Sequence, residues 1–179
     1  MPVRSADSPI ENVMSSLLLD DRFAGLSQGD HICAIYADPV EQAAAMVRYI
    51  RSGIESSERA VYIADDRSSV DVRERLEADG LDVGAAEGAG RLQLLTKRES
   101  YLRDGEFVPS AMIDFLRHAE RDALESGCLG LRVTGEMTWA LGAEVGSDCL
   151  LEYEAALNRF FPGSRSQGIC QYNRARFSP

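Results

Sequence analysis

The sequence predicts an α/β fold with a mostly parallel sheet of about five or more strands and helices on both faces. Short, mostly apolar runs of strand type recur along the chain, and the segments between them have helical periodicity. The strand-like runs carry apolar residues at successive positions, which is typical of strands buried on both faces. Strands that alternate with helices form parallel sheets through right-handed crossovers. Such sheets bind ligands at the carboxyl ends of their strands.

The order of elements is read directly from these patterns. The predicted strands cover residues 31–36, 60–64, 92–96, 130–136 and 168–172. The predicted helices between them cover about 39–54, 68–78, 109–125 and 148–161. Asp38 and Pro39 give the first of these helices an N-cap and a favourable first position. An amphipathic helix beginning near Ser8 precedes the sheet, so we expect an N-terminal extension, 1–24, and one α/β domain, 25–179.

The charge balance restricts the classes of partner. The chain has 19 Lys and Arg against 29 Asp and Glu, a formal net charge of -10. This charge repels phosphate backbones and anionic membranes, so we expect no direct nucleic-acid binding. We expect no membrane insertion either, since no apolar stretch approaches the roughly 20 residues that a spanning helix requires. The 4 cysteines show no CxxC spacing, which favours a reducing, cytoplasmic location.

Four separated segments resemble the motifs of one family. They read GDHICAIY at 29–36, YLRDGEF at 101–107, LRVTGEMTW at 131–139 and CQY at 170–172. In this order they resemble the MEDS domain, the methanogen/methylotroph DcmR sensory domain, and the likeness extends from about Gly25 to Phe177. The resemblance implies a module that senses small organic molecules, hydrocarbon derivatives among them, ahead of a transcriptional or kinase output.

A more distant resemblance is to the RecA and KaiC class of ATPases, in which the first strand leads into a P-loop. Here that position is Ala37-Asp38-Pro39-Val40-Glu41-Gln42, which contains neither Gly nor Lys. A working P-loop needs both, so the loop is degenerate and we expect no ATP hydrolysis. The RecA-like order of elements predicts the sheet order 5-1-4-3-2, with the strand of Cys170 beside the strand of His31.

The strand-end rule and the family motifs together nominate the ligand-binding residues. They are polar, aromatic or sulfur-containing side chains on or just after the first, third, fourth and fifth strands. The predicted ligand-binding residues are His31, Cys33, Tyr36, Glu99, Tyr101, Arg132, Thr134, Glu136, Trp139, Cys170 and Tyr172. No catalytic residue is predicted, and the sequence requires no cofactor.

Each candidate has a plainer structural interpretation. His31 and Cys33 lie two residues apart and so share a face of their strand, which Cys170 could approach. For these three residues a hydrogen-bonded pocket, simple packing, and metal or haem ligation all remain possible interpretations. Glu136 could anchor a ligand or form an ion pair, and Arg132 lies on its side of the strand. Trp139 could wall a pocket or belong to the core.

These observations favour a sensory domain that acts through a protein partner or through self-association. A nucleotide-binding regulator without ATPase activity and an interaction scaffold without a ligand are the alternatives. We do not expect an enzyme, because the sequence has no G-x-S-x-G elbow and His31 stands beside Cys33 on the strand instead of facing it.

Overall fold

A computed structural model describes residue 23 and residues 25–64 and 69–177, which fold around one sheet of five parallel strands. The strands are β1 (His31–Tyr36), β2 (Arg59–Ala64), β3 (Leu92–Thr96), β4 (Leu131–Glu136) and β5 (Ser166–Asn173). All five predicted strands are confirmed, with ends that differ by at most two residues. The predicted N-terminal helix lies outside the described residues.

Five helices connect these strands. They are α1 (Pro39–Glu55), α2 (Ser69–Ala78), α3 (Val83–Gly88), α4 (Pro109–Glu125) and α5 (Leu150–Phe160). Two short 3-10 turns, Thr138–Leu141 and Ser147–Cys149, lie between β4 and α5. Helix α3 was not predicted, because it has only 6 residues and contains two glycines. Its start is fixed by Asp82, whose carboxylate accepts a hydrogen bond from the Ala85 amide at 2.8 Å.

The helices cover both faces of the sheet, as the sequence predicted. Helices α1, α2 and α3 pack on one face around a core that includes Met46, Ile50 and Leu76. Helices α4 and α5 pack on the other face, around Leu116, Leu157 and other apolar residues. Because helices cover both of their faces, the inner strands β2 and β4 are buried along nearly their whole length.

The predicted strand order is correct for the central strand, β4, but on each side of β4 the two outer strands are interchanged. The observed order is β1-β5-β4-β2-β3, so β5 lies between β1 and β4, and β4 pairs with β2. The predicted pairing of β1 with β5 is confirmed, with Cys33 opposite Cys170. The difference follows from burial: β5 is buried over its first six residues, whereas β1 is an edge strand with Ile35 70% exposed.

None of the helices in the described ranges is long and apolar enough to cross a membrane.

Candidate functional site

The predicted site residues are divided between the two faces of the sheet. Successive side chains of a strand point to opposite faces. On β4, Arg132, Thr134 and Glu136 therefore share the face covered by α1, where Thr134 contacts Met46. His31 and Cys170 share the other face, beneath α5. The predicted single pocket is thus not formed, and each face must be considered separately.

A cleft between α1 and α2 opens at the carboxyl ends of β2 and β4; we call it the α1–α2 cleft. Its empty volume is about 490 Å³, with the part open to solvent included. Its walls are formed by apolar side chains, namely Met46, Val47, Ile50, Val72 and Leu76. Its polar end carries Gln42, Tyr62 and Glu136. An apolar cleft with a few converging polar groups is the usual form of a small-molecule site.

The polar end of the α1–α2 cleft is organised by hydrogen bonds. The Tyr62 hydroxyl donates to Glu136 Oε1 at 2.7 Å, and Gln42 Nε2 donates to the same hydroxyl at 3.5 Å. Burial first, and then the negative charge of Glu136, raise the pKa of Tyr62 well above its usual value. Tyr62 therefore stays protonated and continues to donate to the carboxylate.

The same network continues into the sheet. Gln42 Nε2 also donates to Gln171 Oε1, and Gln171 Nε2 donates to Thr134 Oγ1 at 2.8 Å. The Thr134 hydroxyl in turn donates to the Ile169 carbonyl oxygen at 3.0 Å. Side chains from α1, β2, β4 and β5 are thus tied together at the base of the cleft, which fixes the position of its polar groups.

Arg132 lies at the other end of β4 and does not pair with Glu136. Its Nε donates to Glu58 Oε2 at 2.7 Å, and its Nη1 donates to the Tyr49 carbonyl oxygen at 3.1 Å. The two charged side chains are 9% and 7% exposed. The ion pair on this strand is therefore formed by Arg132 with Glu58, at the amino ends of β4 and β2 and away from the carboxyl ends.

On the opposite face, His31 and Cys170 meet beneath α5. His31 Nδ1 lies 3.0 Å from Asn158 Oδ1, and His31 Nε2 lies 3.3 Å from Cys170 Sγ. Because an amide oxygen only accepts, Nδ1 carries the proton and Nε2 faces the sulfur. The ring stacks on Phe161 with centroids 5.2 Å apart. The predicted approach of His31 and Cys170 is confirmed.

Glu154 of α5 joins these groups to the remaining sulfur and to Tyr172. Its Oε2 lies 3.6 Å from His31 Nε2 and accepts from Cys33 Sγ at 3.4 Å. Its other oxygen, Oε1, accepts a hydrogen bond from the Tyr172 hydroxyl. We call His31, Cys33, Glu154 and Cys170 the sulfur cluster.

The thiols of the sulfur cluster are held in their neutral form. Partial burial, together with the Glu154 carboxylate, raises the pKa of Cys33 to about 12. Burial raises the pKa of Cys170 well above its usual value, and Glu154 adds to this shift. Since the thiolate is the nucleophile, neither thiol has the environment of a reactive cysteine.

We expect slow alkylation of Cys33 by iodoacetamide, although this residue reaches the surface. With a pKa of about 12, almost none of the thiol is ionised at pH 8. In metal-free protein, the rate should be at least roughly 10-fold below that of free cysteine and should keep rising above pH 9. Mass spectrometry of the labelled peptide measures this rate. Labelling faster than free cysteine would instead indicate an activated thiol.

The other predicted residues have structural partners. Tyr101 and Trp139 stack at 5.0 Å within a buried aromatic cluster that includes Phe107 and Tyr153. The Trp139 indole N–H makes no hydrogen bond to any described residue. Glu99 is exposed and closes the turn after β3, where its Oε2 accepts from the Thr96 amide and hydroxyl, both at 2.8 Å. These hydrogen bonds lower the pKa of Glu99.

Tyr36 ends β1, and its carbonyl oxygen accepts from the Arg174 amide at 2.7 Å. Neither Tyr36, Glu99 nor Trp139 lines the α1–α2 cleft.

Several important residues were not predicted from the sequence. Gln42 and Tyr62 belong to the polar end of the cleft, and Glu154 and Asn158 to the surroundings of His31. A signal existed for Glu154 and Asn158, because residues four apart on a helix share a face. For Gln42 and Tyr62, the sequence pattern indicates only an apolar helix face and a buried strand.

The geometry defines the class of protein. The fold is a RecA-like α/β sheet, and the side chain of Asp38 caps α1 and accepts from the Val40 amide at 2.7 Å. A KaiC-like protein from the hyperthermophilic archaeon Pyrococcus horikoshii has a similar fold, with a TM-score of 0.58 and 18% identity over 87% of this chain and 68% of its own. The likeness confirms the predicted RecA/KaiC-like architecture.

The chain belongs to the MEDS family, described as the methanogen/methylotroph, DcmR sensory domain, whose model matches residues 30–179. Its role is therefore sensory and regulatory. It is 26% identical over 179 residues to the transcriptional repressor DcmR of Methylorubrum extorquens and spans 64% of that repressor's length.

A second similar protein, from Ralstonia nicotianae, is named as a zinc metalloprotease. It is 30% identical over 114 residues, which are 64% of this chain and 24% of that protein. The zinc-protease motif H-E-x-x-H is not present here, since the sequence has 2 His, at positions 31 and 118.

Proposed function

We propose that this domain senses a small organic molecule in the α1–α2 cleft. The observation that carries the proposal is the Glu136–Tyr62 pair, which lies at the carboxyl ends of two central strands and faces an apolar wall. Strand ends are where parallel sheets bind ligands. The apolar wall of the cleft supplies hydrophobic contact area. The Glu136–Tyr62 pair orients the ligand and makes its binding specific.

The charges around the cleft favour a neutral or cationic ligand that can donate a hydrogen bond. The described lining of the cleft includes one cation, Arg75, and two carboxylates, those of Glu136 and Asp71. Both carboxylates repel anions, as does the net charge of -10. Small alcohols and amines with an apolar body fit these requirements best.

Nucleotide hydrolysis does not fit the same site. Asp38 occupies the N-terminus of α1 with its own carboxylate, and Pro39 lacks an N–H group that could bind a phosphate. The domain is therefore proposed to be a binding module and not an enzyme. Nucleotide binding without hydrolysis is the alternative that the ligand experiment below separates from our proposal.

The output is proposed to pass through a protein partner or through self-association, in the cytoplasm. The similar repressor is longer than the chain, which spans 64% of it. Helices α1 and α2 form the walls of the cleft. A ligand that draws these helices together changes the outer surface of this layer, where a partner could detect the change.

A thermal-shift panel tests the proposal. The panel contains short alcohols, amines, ATP and ADP. We expect stabilisation by at least one organic compound; a ligand at 100 times its dissociation constant adds about 2.7 kcal/mol. Glu136→Gln should abolish this response while the unfolding midpoint moves little, because Gln keeps an oxygen that accepts from Tyr62.

The matched control is Glu144→Gln, which removes a carboxylate from a surface ion pair with Lys97 that is remote from the cleft residues. This variant should respond like the wild type. A response to nucleotides alone would favour the nucleotide-binding alternative, and no response to any compound would favour the interaction scaffold.

A further inference from the structure

The sulfur cluster has the composition and spacing of a metal site. The ligand atoms of His31, Glu154 and Cys170 all lie within 4.8 Å of one another. Zinc takes nitrogen at about 2.0–2.1 Å and sulfur at about 2.3 Å, so the ligand atoms of a tetrahedral site stand roughly 3.3–3.8 Å apart. The Nε2–Sγ distance is 3.3 Å and the Nε2–Oε2 distance is 3.6 Å. The three groups are thus arranged almost as a bound ion would hold them.

The groups behind these atoms orient them as the outer partners of a metal site do. Asn158 Oδ1 fixes the proton of His31 on Nδ1, so Nε2 presents its lone pair to the centre. The Tyr172 hydroxyl holds Glu154 Oε1, which leaves Oε2 directed at His31 and Cys33. In metal sites, the atom of a ligating side chain that does not face the ion is regularly held by a hydrogen bond of this kind.

The geometry points to a Zn²⁺ site formed by His31 Nε2, Glu154 Oε2 and the sulfurs of Cys170 and Cys33. Cys33 lies outside the group of atoms that are all within 4.8 Å of one another. It is assigned as the fourth ligand because it stands opposite Cys170 on the neighbouring strand and contacts Glu154 at 3.4 Å. Imidazole and thiolate donors favour zinc over the hard cations Mg²⁺ and Ca²⁺. This site lies on the opposite face of the sheet from the α1–α2 cleft, so the inference does not depend on the proposed sensing function.

Metal binding must displace protons from both thiols. A cysteine binds a metal ion as its thiolate, so Cys33 and Cys170 each give up a thiol proton when the ion binds. Binding therefore releases two protons per Zn²⁺, and affinity increases as the pH rises. The bound state joins β1, β5 and α5, and it ties the edge strand to the rest of the domain.

Zinc titration of the full chain against a chromophoric chelator tests this site. We expect one Zn²⁺ per chain, two protons released in weak buffer, and thiolate-to-metal absorption when Co²⁺ replaces Zn²⁺. His31→Ala, Cys170→Ser and Glu154→Gln should weaken binding most, with Cys33→Ser behind them. Asn158→Ala should weaken it by about 10- to 100-fold, although Asn158 does not contact the ion.

Cys149→Ser is the matched control, because Cys149 is a free thiol outside the cluster. It should bind zinc like the wild type, and so should Glu136→Gln in the α1–α2 cleft. If Cys170→Ser does not fold, Glu154→Gln is the variant that tests the site, since the Glu154 side chain is partly exposed on α5. The inference is overturned if zinc binding survives in His31→Ala and Glu154→Gln, or if the wild type does not bind zinc at micromolar Zn²⁺. Unchanged zinc affinity in Cys33→Ser would show that Cys33 is not the fourth ligand.

Discussion

Glu58→Gln should destabilise the domain by about 3–5 kcal/mol. Glu58 is the carboxylate partner of Arg132 at 2.7 Å, and both side chains are almost completely buried. Removing one charge of a buried pair leaves the other without compensation in a medium where an unpaired charge is costly. Arg132 also stacks over the Tyr49 ring at 4.8 Å, so it cannot leave the core without losing that contact.

Urea unfolding measures this loss, with Glu55→Gln as the control. Glu55 pairs with Arg51 at the surface, where the two side chains are 64% and 43% exposed, so its loss should change stability by less than about 1 kcal/mol. The double change Glu58→Leu with Arg132→Met should recover most of the loss, because an apolar pair has no charge to bury. A Glu58→Gln protein as stable as the wild type would show that the pair is solvated.

The fold could be predicted well because its signals are local. The strand of residues 92–96 and the helix of residues 109–125 have the bounds that the sequence indicated. An N-cap at Asp38, a proline at the first helical position and alternation between strand and helix periods are all visible in one stretch of chain.

Strand order is not local, and the prediction was wrong for the strands on each side of β4. The order of the strands depends on which strand buries more of its surface between two neighbouring strands that are distant in the sequence. The strands 31–36 and 166–173 both read as apolar, yet only the second is an inner strand. The composition of two similar strands does not indicate which of them has a neighbouring strand on each side.

Only part of the site was predicted, because some of its contacts join residues that are distant in the sequence. Period-two alternation correctly placed His31 with Cys33, and register placed Cys170 beside them. Their carboxylate partner, Glu154, comes from a helix more than a hundred residues after Cys33, and no spacing in the sequence indicates that pairing. Likewise, Tyr62 reads as one member of a buried strand, and only the structure shows that its hydroxyl reaches Glu136.

Ala43→Phe should abolish binding of the organic ligand identified in the thermal-shift panel. Ala43 lies on α1, half-buried, with its side chain lining the α1–α2 cleft. A phenyl ring at this position fills space that the ligand requires, and it can do so without entering the packed core beneath Met46 and Ile50. The change leaves Glu136, Tyr62 and the sulfur cluster untouched.

The matched control is Ala44→Phe, one residue further along the same helix. Ala44 is also half-buried but does not line the cleft, so its ring points to the neighbouring surface. Both variants should remain folded and have similar unfolding midpoints, which separates loss of binding from loss of structure.

Isothermal titration of that ligand into the wild type, Ala43→Phe and Ala44→Phe proteins is the most direct test of the sensing site. We expect one ligand per chain for the wild type and Ala44→Phe, with affinities within about 3-fold of each other, and no detectable binding for a folded Ala43→Phe protein. Binding of equal affinity in all three proteins would contradict the proposed site, because the ligand would then occupy another part of the molecule.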